Sequence, residues 1–239
     1  MQPPEDRDME LREHLAELKE RVTKGVIPFF LVTGAFFYFS DRILTFLWQQ
    51  LFPEKDMVVY TPTEYMIARI LISAFLAFLA TYPWIIYQIY LFMKPGLYPH
   101  EREFVRRLAP FSYVTFLIGV LFSYYIILPK LYSVTVVEYF GAEPFLSVRK
   151  ALNNAVKLSL SVGLSFQIPV VTLIAVKLGL ISHRWLRDKR LIVYVVVFIL
   201  ATNLTLDFTG VTQMIVLAAV VVMYEISILI AKIFERDTQ

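Results

Sequence analysis

Long apolar runs separated by short charged connections dominate this chain. The uncharged runs cover residues 25–40, 70–93, 108–129, 158–176, 191–206 and 208–224, and the last resumes after Glu225 as far as residue 231. A transmembrane helix needs about 20 mostly apolar residues to cross about 30 Å of hydrocarbon. The pattern therefore predicts six transmembrane helices, the first being completed by the apolar residues 43–52 beyond Asp41 and Arg42.

We predict an all-α fold, a polytopic membrane protein that forms one integral membrane domain over residues 1–239. Residues 1–24 are its amphipathic N-terminal segment, residues 25–233 its six-span bundle and residues 234–239 its tail. In the N-terminal segment, apolar side chains recur every three or four residues from Leu11 onward, which predicts a helix that lies along the membrane surface. These side chains are Met9, Leu11, Leu15, Leu18 and Val22.

Prolines and one short run shape the predicted bundle. A proline inside a helix removes a backbone hydrogen bond and crowds the preceding turn, so we expect kinks near Pro83 and Pro169 that curve the bundle into a cup. The fifth apolar run has sixteen residues, which reach only about 24 Å. We therefore expect the bilayer to thin around it. In the loop before the second span, "TPTE" at residues 61–64 is typical of a helix start.

Composition and charge place the chain in a membrane. It is 58% hydrophobic and 18% charged, with a mean hydropathy of +0.62, whereas soluble domains carry about 25% charged residues. The absence of cysteine excludes disulfides and cysteine-ligated metals. The N-terminus has no short apolar core with a small-residue cleavage site, so we do not interpret it as a removable signal peptide.

Lysine and arginine are distributed unevenly between the two predicted faces. Fifteen lie on the side of the termini and six on the opposite side. The positive-inside rule then places both termini in the cytoplasm, together with the charged connection "FMKPGLYPHEREFVRR" at residues 92–107.

Acidic side chains on this predicted cytoplasmic side are the first candidates for chemistry. They are Glu13, Glu17 and Glu20 before the first span, and Glu101 and Glu103 in the connection. Taken singly, each is a solvated charge or a partner four residues along a helix, as Glu17 is to Arg21. Together they place carboxylates beside apolar patches on one membrane face, where guanidinium groups of a partner would bind by bidentate hydrogen bonds.

Polar groups inside the predicted spans form the second set of candidates, because they are costly in a membrane. Gln167 lies in the fourth span and Glu225 in the sixth, and Asn203, Asp207 and Gln213 lie where the fifth and sixth meet. The alternatives stay open here. Gln167 forms either a bond within the bundle or a contact with a partner, and Glu225 is either buried against an arginine or hydroxyl or functional. The three histidines are interpreted as surface residues.

No metal-ligand spacing, phosphate-binding glycine loop or nucleic-acid signature is present in the sequence, so we predict no cofactor, metal or nucleic-acid partner. From the residues alone, a secondary transporter is the main alternative, because proline-broken spans with polar groups form its substrate sites. No pair of corresponding halves supports it. An intramembrane hydrolase is disfavoured, because the predicted spans contain no histidine or cysteine. We predict that the chain is not an enzyme.

Four stretches carry a resemblance to a known family. They are "HLAELKERV" before the first span, "PWIIYQIYLFMKPGLYPHERE" from the second span onward, "GLSFQIPVV" in the fourth and "YEISI" in the sixth. They resemble the TatC family, the receptor core of the twin-arginine protein translocase. The resemblance covers nearly the whole chain in order, and "LYPHERE" is its most specific part.

The resemblance implies a function in protein export. It implies that the chain binds the twin-arginine signal peptides of folded cargo proteins, with Glu17 and Glu101 receiving the arginines. We assign Arg21 and His100 to the same site. It further implies an oligomeric complex with TatA- and TatB-like single-span subunits, surrounded by membrane lipid in the cytoplasmic membrane. The expected partner-binding or intramembrane polar residues are Gln167, Gln213, Glu225 and Thr205.

The chain also departs from the family pattern. Gln167 stands where the family commonly has a glutamate, so we do not expect a role that needs a buried charge there, while hydrogen bonding remains. The turn "TLDFTG" at residues 205–210 lacks the usual proline, and the proline usual early in the sixth span is absent. Gln213 and Glu225 keep the family's spacing of twelve residues.

Overall fold

The computed structural model describes residues 11–53, 55–135, 147–204 and 210–236, and it confirms the predicted all-α fold. The helices are α1 (Leu11–Leu51), α2 (Pro62–Met93), α3 (Pro99–Phe122), α4 (Leu128–Thr135), α5 (Val148–Ser165), α6 (Ile168–Lys177), α7 (His183–Asp188), α8 (Arg190–Leu204) and α9 (Val211–Arg236). Within the described ranges, five helical stretches are long and apolar enough to cross a membrane, and α8 is apolar but shorter. The count of six spans stays a prediction.

Helix α1 differs from the arrangement expected at the N-terminus. Instead of a surface helix followed by a separate span, one helix of 41 residues runs from Leu11 to Leu51. The helix continues without a break from its amphipathic part into its apolar part, and Pro28 lies inside it. The Thr23 hydroxyl donates to the Lys19 carbonyl at 2.8 Å, so it bonds within the helix.

The prolines have different effects on the other helices. Helix α2 continues through Pro83, and a kink there stays a prediction. In the fourth span, α5 ends at Ser165 and α6 begins at Ile168, so the helix is interrupted immediately before Pro169. Between α3 and α4, residues Ser123–Ile127 form a π-helical turn in which the Leu128 N–H donates to the Ser123 carbonyl.

The backbone divides into two compact units, and the first contains Met1–Leu44 and Arg69–Val114. Polar contacts at two levels join α1 to α2 inside it. The Arg69 Nε donates to the Ser40 Oγ at 2.8 Å and lies 3.1 Å from an Asp41 carboxylate oxygen, and the Trp84 indole N–H donates to the Lys24 carbonyl at 2.8 Å. These bonds fix the helices at two levels along their length.

The second unit contains Thr45–Ala68 and Thr115–Gln239. Its central contact is a close approach of α3 and α5 at Gly119 and Gly163, where an added Cβ on Gly119 would lie 2.9 Å from the Gly163 Cα. Helix α9 packs against α5, α6, α7 and α8. That all of the chain forms a single membrane domain stays a prediction.

The start of α2 is capped as "TPTE" predicts. The Glu64 N–H donates to the Thr61 hydroxyl at 3.3 Å, and the Glu64 carboxylate accepts from the Tyr60 N–H at 3.0 Å, which satisfies amide groups left open at a helix start. The other Glu64 oxygen accepts from the Ser147 hydroxyl, and Ser147 also caps α5. One buried carboxylate therefore ties the starts of two helices together.

Candidate functional site

The first acidic candidate, Glu17, lies on the polar part of α1. Its Oε1 is 3.4 Å from the Arg21 Nη2, and both side chains are partly exposed, so the pairing expected from their four-residue spacing is present. An exposed pair of this kind contributes only a few tenths of a kcal/mol. Glu17 can therefore exchange Arg21 for another guanidinium group at little cost.

The second acidic candidate, Glu101, occupies the third position of α3. Pro99 opens this helix, where its missing N–H is no loss, and the Glu101 Oε2 accepts from the Tyr98 backbone N–H at 2.8 Å. This bond orients the carboxylate at the N-terminus of the helix. The ring of His100, which is exposed, lies 5.9 Å from the Tyr98 ring.

The structure brings the segments of these two acids together within the first unit. The ring of His14, one turn before Glu17, lies 4.8 Å from the ring of Phe92 at the end of α2. The connection after Phe92 is held by buried Leu97, whose carbonyl accepts from the Arg102 Nε at 2.9 Å. The polar turn of α1 therefore lies beside the connection that carries Glu101.

Gln167 lies at the interruption of the fourth span, where it is the residue before α6. It is 8% exposed, and its Nε2 donates to the Thr115 Oγ1 on α3 at 3.3 Å. Of the two alternatives left open by the sequence, the bond within the bundle is therefore present. A contact between Gln167 and a partner stays a prediction.

Glu225 contacts an arginine and a hydroxyl, the two kinds of partner expected for it, although its side chain is 38% exposed. Its Oε2 accepts from the Arg190 Nη2 at 2.7 Å, and its Oε1 accepts from the Tyr194 hydroxyl. Arg190 and Tyr194 are one turn apart on α8, and Glu225 lies on α9. The carboxylate therefore fastens α8 to α9.

The remaining polar candidates lie at the start of α9 and before it. Gln213 is in the first turn of α9 and is partly exposed. Thr205 and Asp207 lie outside the described residues, as does the side chain of Asn203. Their proposed roles stay predictions.

Sequence reasoning missed one long-range bond and one buried polar residue. Glu64 belongs to the predicted helix start "TPTE", but the bond that it accepts from Ser147 was not predicted. Gln88 lies in the apolar run of α2, is 5% exposed, and its Oε1 has no hydrogen-bond partner among the described residues. The signal was available, because Gln88 is the one amide side chain in the uncharged run of residues 70–93. In the part of the chain that the structure describes, no group of three or more His, Cys, Asp or Glu could hold a metal ion.

Comparison with known proteins decides the family. The family model for "Sec-independent protein translocase protein (TatC)" matches residues 13–219. The chain belongs to the TatC family. The resemblance carried by "LYPHERE" and the other stretches is thereby confirmed, and the chain is a component of the Sec-independent protein translocase. Its long apolar helices fit a multi-pass membrane protein.

Curated TatC proteins match over almost their whole length. The TatC protein of Methanocella arvoryzae is 32% identical over 232 residues, which cover 96% of both chains. That of Aquifex aeolicus is 31% identical over 234 residues, covering 95% of this chain and 97% of the relative. The crystal structure "Twin Arginine Translocase Receptor- TatC" has a TM-score of 0.82 at 30% identity, covering 92% of this chain and 98% of that one.

Proposed function

We propose that this TatC protein is the receptor of the translocase and binds twin-arginine signal peptides with Glu17 and Glu101. The observation that carries this proposal is the His14–Phe92 contact, which joins the segments of the two acids within one unit. Among the described residues, each carboxylate makes a local bond, Glu17 with Arg21 and Glu101 with the Tyr98 N–H. Both therefore retain capacity to accept from an incoming guanidinium group.

Arginine is required in the peptide for a geometric reason. A guanidinium group presents a planar set of donors that matches a carboxylate in a bidentate pair, whereas a lysine ammonium is a point charge. Two adjacent arginines can each engage one acid. Arg21 and His100 complete the proposed site, Arg21 by orienting Glu17 and His100 by flanking Glu101.

The test is photocrosslinking of a signal peptide to the full-length protein in membranes. A peptide with paired arginines is expected to crosslink, and its double-lysine variant is not. Glu17→Gln and Glu101→Gln should each weaken crosslinking by about tenfold or more, because a charge-assisted hydrogen bond contributes about 1.5–3 kcal/mol. The glutamine at 101 keeps an oxygen for the Tyr98 N–H, so folding of the α3 start is preserved.

The controls are Glu20→Gln and Glu103→Gln. Glu20 lies on the same helix as Glu17 and pairs with Lys24, four residues further on. Glu103 lies on the same helix as Glu101 and pairs with Arg107, also four residues further on. They are expected to leave crosslinking unchanged. Undiminished crosslinking in both the Glu17 and Glu101 variants would contradict the proposal.

The proposal includes an orientation in the cytoplasmic membrane, with both termini in the cytoplasm. It is supported by the excess of lysine and arginine on the side of the termini. Because the chain has no cysteine, a single cysteine at exposed Glu13 can be probed with a membrane-impermeant maleimide. Labelling is expected only in inverted vesicles, and labelling of intact cells would refute the orientation.

We also propose that TatA- and TatB-like single-span subunits dock along α8 and the start of α9, in an oligomeric complex. Helix α8 has fifteen residues, about 22 Å, and exposes Leu191, Ile192, Val195, Phe198 and Ile199. The Arg190–Glu225–Tyr194 contact holds this apolar face on α9. Gln213 and Thr205 would offer polar contacts to the docked subunits. In this proposal the protein binds and assembles other proteins and does not catalyse a reaction.

A further inference from the structure

A cavity of about 420 Å³ lies between α1 and α2 in the first unit. On α1 its lining residues follow three- and four-residue steps from Leu18 to Phe29, and on α2 they extend from Phe78 to Phe92. Every residue of α1 from 26 to 39 is exposed or half-buried. The cavity is therefore a gap beside a helix that packs loosely on its neighbour.

The length of the cavity matches one leaflet of a bilayer. Leu18 and Phe29 are eleven residues apart, which is about 16 Å along a helix. The hydrocarbon core of a bilayer is about 30 Å thick, so the cavity spans about half of it. An acyl chain of a single leaflet has this reach.

One end of the cavity is polar. Gln88 is almost completely buried, and its Oε1 has no hydrogen-bond partner among the described residues. The Arg21 Nη2 bonds Glu17, but the buried Arg21 Nε has no partner within the same described ranges. A buried polar atom without a partner is destabilising. The Gln88 oxygen needs a donor and the Arg21 N–H needs an acceptor.

We propose that this cavity binds one acyl chain of a membrane phospholipid whose headgroup carries a hydrogen-bond donor, such as phosphatidylglycerol. The chain lies along the apolar wall toward Phe29 and Phe78. A phosphate or ester oxygen accepts from the Arg21 Nε, and a headgroup hydroxyl donates to the Gln88 Oε1. The lipid thereby satisfies both polar atoms and fills the gap between the helices.

The size of the cavity distinguishes a lipid from a peptide helix. A helix about 10 Å wide and 16 Å long occupies roughly 1,200 Å³, which exceeds the empty volume of about 910 Å³ between the two helices. A single hydrocarbon chain is much thinner. The apolar segment of a signal peptide, if helical, therefore does not fit between α1 and α2 as they stand.

Gly25 provides a way to close the cavity without disturbing the helices. It lines the cavity, and a Cβ added to it would meet no heavy atom within 4 Å. Gly25→Leu therefore places a side chain in the space assigned to the lipid. The control is Gly34→Leu. Gly34 is an exposed residue of the same helix, an added Cβ there also meets no heavy atom within 4 Å, and it does not line the cavity. Both changes replace a weak helix former with a strong one.

The experiment uses the full-length protein in phosphatidylcholine nanodiscs that contain a small fraction of phosphatidylglycerol with a photoreactive acyl chain. After illumination, mass spectrometry measures the adducts and maps them. We expect adducts on the α1 and α2 peptides that contain Phe29 and Phe78, a several-fold loss in Gly25→Leu and no loss in Gly34→Leu. Gln88→Leu should reduce the preference for phosphatidylglycerol over a photoreactive phosphatidylcholine.

Two results would overturn the proposal. Equal labelling in the Gly25 and Gly34 variants would show that the lipid does not occupy the cavity. Complete loss of the mapped adducts on addition of a twin-arginine signal peptide would assign the cavity to the peptide. The receptor proposal is tested separately, by crosslinking a signal peptide to the Glu17 and Glu101 variants. A negative result with the lipid therefore does not contradict it.

Discussion

The close approach of α3 and α5 supports a quantitative prediction about stability. An added Cβ on Gly119 would lie 2.9 Å from the Gly163 Cα and 2.9 Å from the Phe166 ring. An added Cβ on Gly163 would lie 2.7 Å from a Val120 methyl carbon and 2.9 Å from the Phe116 ring. Phe116 and Val120 are themselves buried, so they cannot move aside. Gly119→Ala and Gly163→Ala must therefore separate the two helices.

The cost follows from two opposing effects. Overpacking a well-filled contact costs about 1–3 kcal/mol, whereas replacing a helical glycine by alanine gains about 1 kcal/mol in helix propensity. Gly34→Ala supplies the second effect alone, because nothing lies within 4 Å of its added Cβ. Relative to Gly34→Ala, each of the two variants is expected to lose about 1–3 kcal/mol. The double variant should lose less than the sum, because both changes act on one contact.

Thermal unfolding of the purified protein in detergent measures this difference. For a chain of this size, 1 kcal/mol corresponds to a shift of about 2–4 °C in Tm. We expect Gly119→Ala to unfold at a lower temperature than Gly34→Ala and to leave the oligomeric state unchanged. Equal Tm values for the Gly119 and Gly34 variants would refute the reasoning, since the 2.9 Å contact would then have relaxed at no cost.

Three further predictions concern the polar residues of the second unit. Gln167→Leu is expected to weaken association with a single-span partner by about 1 kcal/mol while signal-peptide crosslinking persists. If it instead lowers Tm as much as Thr115→Val does, Gln167 serves the internal bond alone. A cysteine at Gln213 is expected to crosslink to the transmembrane helix of a partner subunit, and crosslinks formed only from the first and third spans would place the docking surface elsewhere. Arg190→Leu is expected to lower Tm by removing the partly exposed ion pair with Glu225, which then keeps its bond from the Tyr194 hydroxyl. Adding Glu225→Leu should restore part of the loss; an unchanged Tm in the single variant would contradict this role.

Local patterns predicted the features whose causes lie within a few residues. The pair of Glu17 and Arg21 follows from helical spacing, and the capped start of α2 follows from "TPTE", because both depend on neighbours along one helix. The interruption before Pro169 follows from the missing proline N–H. The shortness of α8 was visible as a short apolar run between charged residues.

Features that depend on contacts between residues distant in the sequence could not be predicted from these local patterns. The bond between Gln167 and Thr115 joins residues 52 apart, and only one of its ends could be chosen from the sequence. The continuous α1 was missed because a change from polar to apolar composition suggested a boundary, although no residue there ends a helix. Gln88 was overlooked because a single amide hardly changes the hydropathy of a long apolar run.

The π-helical turn Ser123–Ile127 limits how the length of this span can vary. Such a turn holds one residue more than an α-helix needs for the same stretch, and each residue turns an α-helix by about 100°. At the first residue of the turn, the Ser123 hydroxyl lies 3.4 Å from the Ser159 hydroxyl on α5. After the turn, on α4, the Tyr132 hydroxyl donates to the Ala151 carbonyl of α5 at 2.8 Å. Deleting one residue within the turn would leave a regular α-helix over the same stretch and keep Tyr132 facing its acceptor. Deleting one residue between Leu128 and Tyr132 would preserve the hydrophobic character of the span but rotate Tyr132 by about 100° away from its acceptor. Angular phase, more than apolar length, therefore sets which insertions and deletions this part of a TatC chain can accept.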